Sequence, residues 1–471
     1  MRHETPLNSD ARPGPAASLL ITNVTAVTMD ARRRIVADAA IAVEGDTIVA
    51  VDKRERLAAD GRTYAAVLDA QGMLALPGLI DTHAHADQSL LRGLGDQCHW
   101  MPFLDDIIDP WLAQRDPADA VLANRLAMVE MLRAGTTCFV SPNVDPRDDM
   151  AALVHCVGEV GIRAVLGRFC VAGGDTRAES TMLVDDAARA MATWHGSAGG
   201  LVSMWFGLDV PRRPGDRDHP HYYRAVADAA RAMHTGITYH FCSESEDAVF
   251  IRNRYGQQPA EWSRDNHALG ANVLLINGCQ LTPLELRILA DSGSHLAHSP
   301  VANMKMATGI LPLPDVLAAG VNVSLGTDGA LNNNGYDLFG EMKAACLLQN
   351  ATRRSASALT AHAALELATV NGAKAVGRPD LGSLEAGKRA DIVLLDLHAP
   401  ALVPVHDLVS NLVFCGGGSR VHTVFVGGRK VLDAGRVVGV DEAALAREAQ
   451  RRAEAIRRQL QLHVRQPWPV E

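Results

Sequence analysis

PGLIDTHAH, residues 77–85, is a short apolar segment that ends on two histidines one residue apart. Side chains alternate between the two faces of an extended strand, so His83 and His85 point to one side while Ala84 points away. Two neutral imidazoles that converge on one point are suitable ligands for a divalent transition metal. Because two ordinary polar residues at a strand end would give the same pattern, the pair needs support from the rest of the chain.

Composition limits the class of protein. The chain has 471 residues, 48% of them hydrophobic, with a formal net charge of -9, eight cysteines and no Cys-x-x-Cys pair. This length favours one large domain plus a smaller one. The charge is not grouped into basic blocks, which argues against a nucleic-acid partner. Without a signal peptide, a run of ~18 apolar residues or a disulfide framework, we expect a cytoplasmic protein with no membrane association.

The two ends of the chain share a β-rich pattern. Apolar residues alternate with polar ones in four segments, and Glu44-Gly45-Asp46 has the composition of a hairpin turn between two of the strands. We therefore predict that both ends pair into one small β-sandwich domain, formed by residues 18–76 and 384–440. The segments are residues 19–24, 41–51, 391–396 and 421–432.

The region between the two ends has a different sequence pattern, in which short apolar strands alternate with helical segments. Eight such units predict a distorted (β/α)8 barrel over residues 77–383, with catalytic residues at the carboxyl ends of its strands. Residues 1–17 are predicted to be a loose tail, and residues 441–471 a helix capped by Asp441 plus a tail, packed on the barrel or on a neighbouring subunit. The predicted strands are residues 75–83, 136–141, 162–169, 201–208, 236–241, 272–277, 294–298 and 321–328.

Further polar residues stand at the ends of these predicted strands. The fifth strand ends on His240 and the eighth on Asp328, so three histidines and one carboxylate face one mouth. A single histidine at a strand end is more often structural, and the Gly-Thr-Asp-Gly sequence around Asp328 also suits a turn. Their coincidence at matching strand ends favours a metal site instead. A divalent metal with an open position lowers the pKa of a bound water toward ~7, and Asp328 could take its proton.

With these residues in place, the chain resembles the amidohydrolase superfamily, in the branch of cytosine, guanine, adenosyl-nucleoside and chlorotriazine hydrolases. The resemblance implies a distorted (β/α)8 barrel with a β-sandwich, and a metal site for zinc, iron, cobalt or manganese, with zinc the first choice. It implies the ligands His83, His85, His240 and Asp328. It rests on the following matching stretches: residues 77–85, 133–137, 297–303, 326–330 and 382–393.

The number of metal ions follows from a missing residue. Binuclear members of the superfamily often bridge two metals with a modified lysine from a middle barrel strand. This chain has no lysine between Lys53 and Lys305, so we predict one divalent metal per subunit, although a glutamate bridge stays open.

Departures from the deaminase pattern indicate the substrate. The pattern places a proton-donating glutamate three residues after the strand-five histidine, where this chain has Ser243, with Glu244 one residue later. It places a histidine at the end of strand six, where this chain has Asn277. An asparagine cannot shuttle protons, but it can donate a hydrogen bond to an oxyanion.

These two departures favour hydrolysis of a urea, carbamate or thiocarbamate, as in the phenylurea and molinate hydrolases of soil bacteria. One alternative is an aminohydrolase or dechlorinase of a triazine, purine or pyrimidine, with Glu244 reaching the site. A non-enzymatic scaffold on this fold is the other, and intact ligands argue against it. In either enzyme the partner is a small-molecule substrate, and we expect a homo-oligomer, dimer or tetramer.

The remaining candidates have structural alternatives of similar weight. His298, at the end of strand seven, is predicted to position the substrate or Asp328, or else to be a buried structural histidine. Asn332 contacts substrate or forms a polar turn. Four aromatic residues in segments that follow strands one and five are predicted to line an aryl or alkyl pocket, although core packing is their commoner use. They are Trp100, Phe103, Trp111 and Trp262.

Overall fold

The computed structural model describes residues 18–170, 177–208, 220–462 and 468. The predicted tail, residues 1–17, lies outside the described part, as does the end of the predicted C-terminal segment. Two β-sheets organise the described chain, one from its two ends and one from its middle. This arrangement confirms the predicted fold class, a (β/α)8 barrel with a second β unit built from both chain ends.

The N-terminal part of the chain supplies five strands of the first sheet. Strands β2 and β3 pair as an antiparallel hairpin around the predicted turn at Gly45, and β1 lies between β2 and β5. The strands are β1 (Leu19–Val27), β2 (Ile35–Glu44), β3 (Thr47–Lys53), β4 (Ala66–Asp69) and β5 (Leu74–Pro77).

The middle of the chain forms the barrel. Neighbouring strands are parallel throughout, in sequence order, and the backbone N–H of Thr82 donates to the carbonyl oxygen of Leu325 at 3.0 Å where the last strand meets the first. The strands are β6 (Leu79–Asp81), β7 (Thr136–Val144), β8 (Arg163–Phe169), β9 (Val202–Leu208), β10 (Ile237–Phe241), β11 (Val273–Asn277), β12 (His295–His298) and β13 (Asn322–Leu325).

The C-terminal part returns to the first sheet. Its strands are β14 (Ile392–Leu395), β15 (Val421–Val426), β16 (Arg429–Asp433) and β17 (Arg436–Val437). β14 pairs antiparallel with β5, which joins the two ends into one nine-stranded sheet. The buried bidentate pair of Arg163, on β8, with Asp391 attaches this sheet to the barrel, at 2.8 Å for each bond.

Helices connect the barrel strands and cover them. The longer ones are amphipathic or have Ala-rich sequences, and several begin with an Asp or Thr cap. They are α1 (Arg54–Ala58), α2 (Trp100–Phe103), α3 (Asp109–Gln114), α4 (Pro117–Arg133), α5 (Met150–Val160), α6 (Arg177–Trp194), α7 (Ser197–Gly200), α8 (Pro220–Ala232), α9 (Ser245–Tyr255), α10 (Pro259–Asp265), α11 (Pro283–Ser292), α12 (Pro300–Met306), α13 (Leu313–Ala318), α14 (Leu338–Arg353), α15 (Ala361–Ala368), α16 (Val370–Ala375), α17 (Leu408–Cys415) and α18 (Glu442–Gln459). A 3-10 turn, Ala86–Leu91, follows the two histidines.

The first predicted strand, residues 75–83, is divided in the structure. Its first half is β5, which belongs to the terminal sheet, and its second half is the barrel strand β6. The division falls at Gly78, where a Cβ atom would lie 2.0 Å from Oγ1 of Thr137. Only a glycine allows the chain to pass this close to β7, so the break is steric and invisible in the hydrophobic pattern.

The C-terminal helix α18 packs on the barrel. Asp441 accepts a hydrogen bond from the backbone N–H of Ala444 at 2.9 Å, as a cap does. Arg452 forms a bidentate pair with Asp119 of α4, with both distances 2.6 Å. Of the two predicted alternatives, barrel or neighbouring subunit, the described residues show the first. Among the helices that the structure describes, none combines the length and the apolar composition required to cross a bilayer.

Candidate metal centre

Three histidines from two barrel strands meet at the carboxyl end of the barrel. His83 and His85 follow β6, and His240 is the fourth residue of β10. The rings of His85 and His240 are stacked, with 4° between their planes, and their Nε2 atoms are 3.3 Å apart. The ring of His83 stands at 83° and 87° to the other two. One nitrogen from each ring lies within 4.8 Å of the others, as ligands of a single ion do.

The donor set fits a divalent transition metal. His83 is fully buried, and neither of its ring nitrogens has a hydrogen-bond partner among the described residues. A buried imidazole without partners is costly unless another group completes it. Oδ1 of Asp328 lies 3.3 Å from Nε2 of His83 and 3.7 Å from Nε2 of His85, so a carboxylate faces the same point. Three imidazoles and a carboxylate are the donors that zinc and its neighbours prefer.

Electrostatics hold Asp328 in its ionised form. Burial raises the pKa of this carboxyl group, but the neighbouring imidazoles of His83, His85 and His240 lower it by more, so that the net shift is well below the ordinary value. A cation at the same point would act in the same direction. The carboxylate is therefore available as a ligand and as a proton acceptor at neutral pH.

The loop that carries Asp328 is fixed against the loop that carries His83. The backbone N–H of Asp328 donates to the carbonyl oxygen of His83 at 2.8 Å. Asp81 accepts hydrogen bonds from the backbone N–H and hydroxyl group of Thr327 and from the backbone N–H of His83. Burial raises the pKa of Asp81 to about 6 in spite of these bonds. Asp81 thus connects the segments that follow the first and last barrel strands, next to the metal ligands.

A chain of uncharged side chains lies beyond the end of β11. Nδ2 of Asn277 donates to Oγ of Ser243 at 2.9 Å, and Oδ1 of Asn277 accepts from Nδ2 of Asn303 at 3.0 Å. All three residues are at most 3% exposed. The backbone of Asn277 has a φ of +79°, in the left-handed region that asparagine tolerates better than most residues. The two residues that depart from the deaminase pattern, Ser243 and Asn277, are therefore hydrogen-bonded to each other.

Glu244 stands at the start of helix α9 and is partly buried. Its backbone N–H donates to Oδ2 of Asp247 at 3.3 Å. The pKa of Glu244 is raised to about 7, mainly because the carboxyl group is partly buried. The negative charges of Glu246 and Asp247 contribute the next largest shifts in the same direction. Burial raises the pKa of the Cys279 thiol, two residues after Asn277, and the charge of Glu244 adds to that shift. A carboxylic acid with this pKa can donate a proton near neutral pH.

His298 is not brought to Asp328 by any contact in the described part of the chain. Its neighbours on β12 alternate, with Leu296 packed toward the helices and Ala297 in the barrel interior, and the same alternation places His298 on the helix side. Burial alone lowers its pKa to about 3, and neither ring nitrogen has a hydrogen-bond partner among the described residues. The structural alternative for His298 agrees with this position, and a role in positioning substrate stays a prediction.

Most of the aromatic candidates occupy the core. Phe103 and Trp111 are at most 2% exposed and pack with leucines of the 3-10 turn and with α18. Trp262 is 1% exposed and contacts the ring of Tyr223 edge-on, with 4.7 Å between the centroids. These contacts are those of core packing, and a place in the substrate pocket stays a prediction for the three residues. Trp100, stacked on Phe103, is partly exposed and stays a candidate.

Asn332 has the predicted turn contact. Its Oδ1 accepts a hydrogen bond from the backbone N–H of Gly329 at 2.8 Å, and it is 3% exposed. It therefore shapes the turn that follows Asp328, and contact with substrate stays a prediction. Two residues of this site were not predicted, Asp81 and Asn303. Both lie inside the motifs already quoted, so their positions in those motifs were the signal that could have identified them.

A parallel barrel with three histidines and an aspartate at its mouth defines the class of metal-dependent barrel hydrolases. The model of the amidohydrolase family matches residues 74–431. The chain belongs to this family. The predicted enzyme class, a hydrolase of carbon–nitrogen bonds other than peptide bonds, is thereby confirmed.

Two similar proteins of known name are deaminases of adenosine derivatives. The chain is 33% identical over 441 residues to a 5'-deoxyadenosine deaminase of Methanosarcina mazei, covering 93% of this chain and 98% of the relative. It is 33% identical over 437 residues to a 5-methylthioadenosine/S-adenosylhomocysteine deaminase of Pelotomaculum thermopropionicum, with the same coverage of both chains.

Two solved structures, a deaminase and a chlorohydrolase, are similar to the chain over most of its length. A zinc-bound adenosine deaminase from Xanthomonas campestris has a TM-score of 0.86 at 28% identity, covering 93% of this chain and 98% of that one. A zinc complex of atrazine chlorohydrolase from Arthrobacter aurescens TC1 has a TM-score of 0.83 at 26% identity, covering 92% of this chain and all of that one. These relatives favour the heterocycle alternative over the phenylurea and molinate interpretation.

Proposed function

We propose that this amidohydrolase is an aminohydrolase that replaces the exocyclic amino group of an adenosine-type heterocycle by oxygen and releases ammonia. The observation that carries the proposal is similarity over 93% of the chain to two deaminases of adenosine derivatives. The two solved structures, an adenosine deaminase and a triazine chlorohydrolase, support a planar nitrogen heterocycle as the substrate class.

We propose zinc as the metal, held by His83, His85, His240 and Asp328. When bound there, zinc lowers the pKa of a coordinated water into the neutral range and so supplies the nucleophile. Asp328 is ionised because of its low pKa, and it lies beside the same point. Its carboxylate accepts the proton of the attacking water and returns it to the departing nitrogen.

Glu244 is the proposed acid for the ring nitrogen. Attack at the carbon that carries the amino group places electron density on the adjacent ring nitrogen, which then needs a proton. Ser243, at the position where deaminases have their glutamate, is a poor acid, whereas Glu244 has a pKa of about 7 and lies next to it. Displacement of the acid by one residue changes the direction from which the proton arrives, and with it the orientation of the bound ring.

The pair of Ser243 and Asn277 supports a second candidate function. Hydrolysis of a urea, carbamate or thiocarbamate develops charge on a carbonyl oxygen, and that charge needs hydrogen-bond donors rather than a ring-nitrogen acid. The buried amide of Asn277, fixed by two hydrogen bonds, is a donor of this kind. In this reaction Asp328 alone transfers the proton to the leaving amine, and Glu244 has no role.

The test compares products and variants on one panel of substrates. Zinc-loaded enzyme is incubated with adenosine-type nucleosides, aminotriazines, phenylureas and thiocarbamates, and ammonia and aromatic amines are measured separately. We expect ammonia from a heterocycle, a loss of about 100-fold in kcat for Glu244→Gln, and little change for Glu454→Gln, which alters an exposed carboxylate on helix α18.

Two results would contradict the proposal in favour of the second candidate. One is release of an aromatic amine from phenylureas with no ammonia from any heterocycle. The other is equal activity of Glu244→Gln and the parent enzyme. Asn277→His then separates the functions further, because it removes the amide donor, and it must lower the rate on urea-type substrates if that donor serves an oxyanion.

A further inference from the structure

The amide group of Asn277 is held by a side chain that follows a different barrel strand. Asn303 lies on α12, immediately after β12, and its Nδ2 is 3.0 Å from Oδ1 of Asn277 and 3.2 Å from Oγ1 of Thr308. The first distance joins α12, which follows β12, to the end of the neighbouring strand β11. Both asparagines are 3% exposed and Thr308 is 4% exposed, so water does not compete for these bonds.

The contacts of Thr308 indicate the direction of the hydrogen bonds in this chain. Its hydroxyl group donates to the main-chain carbonyl oxygen of Asn303 at 3.4 Å, which leaves a lone pair to accept from Nδ2 of Asn303. The amide nitrogen of Asn303 therefore faces Asn277 as well, and only the carbonyl oxygen of Asn277 can accept from it. The NH2 group of Asn277 must then point away from Asn303, toward Ser243.

One hydrogen of the Asn277 amide is left for a ligand. Nδ2 of Asn277 uses one hydrogen for Oγ of Ser243, and the second has no acceptor among the described residues. Asn277 pairs in register with Phe241, the residue that follows the ligand His240 on β10. The free N–H thus originates beside the strand end that carries a metal ligand.

We infer that Asn303 is a positioning residue, which holds Asn277 as a hydrogen-bond donor and so selects substrates that present an acceptor there. Suitable acceptors are an unprotonated ring nitrogen or a carbonyl oxygen, and a protonated or N–H group at that point is rejected. The contact with substrate rests on the proposed function, whereas the orientation of the amide rests on geometry alone.

The side chain of Asn303 also has an unfavourable feature that this role explains. Its Oδ1 is buried and has no hydrogen-bond partner in the described structure. A buried acceptor without a partner destabilises a fold, and an apolar side chain of similar size would avoid it. Such a side chain could not donate to Asn277. Asn303 therefore orients the amide of Asn277 at a cost in the folding stability of the protein.

Asn303→Asp is the sharpest perturbation, because it keeps the shape and removes the donor. A carboxylate at this position accepts from Asn277, so the Asn277 amide turns over and presents its oxygen where its N–H stood. We expect kcat to fall at least about tenfold on the substrate identified by the panel, at unchanged zinc content. Asn266→Asp is the matched control, since Asn266 is also buried, at 5% exposure, and its amide donates to the carbonyl oxygen of Trp262, one helical turn earlier, instead of to Asn277.

Urea unfolding of Asn277→Ala, Asn303→Ala and the double variant provides a second readout that needs no substrate. We expect the two single losses of stability not to add, because the variants remove the same bond. If the panel shows urea hydrolysis in place of ammonia release, the proposed function fails while both tests of Asn303 remain valid. The inference is overturned if Asn303→Asp retains the parent kcat, or if the two alanine substitutions are additive.

Discussion

Gly326→Ala should disturb the metal centre, because Gly326 packs against the main chain of the metal ligand His83. Gly326 follows β13 and lies directly against His83, the ligand whose ring nitrogens are otherwise without partners. A Cβ atom at position 326 would lie 2.7 Å from Cβ of His83 and 2.9 Å from its backbone N and O atoms. These are main-chain and near-main-chain atoms that cannot rotate away, so the loop of His83 itself has to move.

The size of the effect follows from these distances. Carbon atoms in contact are normally about 3.5–4.0 Å apart, so the new methyl group overlaps by nearly an ångström. Overpacking of this kind costs about 1–3 kcal/mol of folding stability, and we expect the upper part of that range because three contacts are violated together. Displacement of one ligand should also weaken zinc binding by about tenfold to a hundredfold. Substitution of residues that orient metal ligands in other metalloproteins typically has an effect of this size.

The measurement combines zinc content after dialysis against a weak chelator with urea unfolding of the zinc-free protein. Gly340→Ala is the matched control, because Gly340 lies in helix α14 and a Cβ atom there meets nothing within 4 Å. We expect that control to be neutral or slightly stabilising, by up to about 1 kcal/mol. If Gly326→Ala retains zinc and stability as well as Gly340→Ala does, the close approach of β13 to His83 does not hold the ligand in place.

Three other predictions address the metal, the acid and the support of the site. Chelation should abolish hydrolysis and zinc should restore it, whereas zinc should not restore His83→Asn to the parent rate, as measured by kcat. The pKa of Glu244 lies at about 7, above its unfolded value, so its proton-donating form is lost as pH rises through 7. We expect kcat/KM to fall on that alkaline limb and the free energy of unfolding to decrease from about pH 4.5 to 7. Glu246→Gln should move the limb to lower pH, and an unmoved limb would contradict the assignment. Arg115 is buried between Asp87, at 2.5 Å, and Asp148, at 2.6 Å, so Arg115→Ala should lower the free energy of unfolding in urea by about 3–5 kcal/mol.

The positions of the barrel strands could be predicted because each strand is a short apolar run between polar turns. The predicted and observed bounds of β10, for example, differ by one residue at its start, and the alternation within that strand correctly turns His240 inward. The ligand cluster follows from the same rule, since parallel strands deliver their carboxyl ends to one mouth. Local patterns were sufficient for these features because the fold repeats one unit eight times.

Features that depend on packing between distant segments could not be predicted in this way. The aromatic residues Phe103, Trp111 and Trp262 have the same composition whether they line a pocket or fill the core, and only their neighbours decide. The bond between Asn303 and Asn277 joins two strand ends that are separated by 26 residues. The domain boundaries and the oligomeric state remain predictions.

Proton supply separates the two candidate reactions more sharply than the metal does. The ligand side of the mouth, with Asp328 ionised, can activate water for either reaction. The pair of Ser243 and Asn277, at the ends of β10 and β11, is neutral and donates hydrogen bonds but supplies no acid near neutral pH. A deaminase needs a second acid, because the ring nitrogen must be protonated while Asp328 is occupied with the water. Glu244, at the start of the helix that follows β10, has the burial and the pKa for that task, so the activity of Glu244→Gln distinguishes the two reactions.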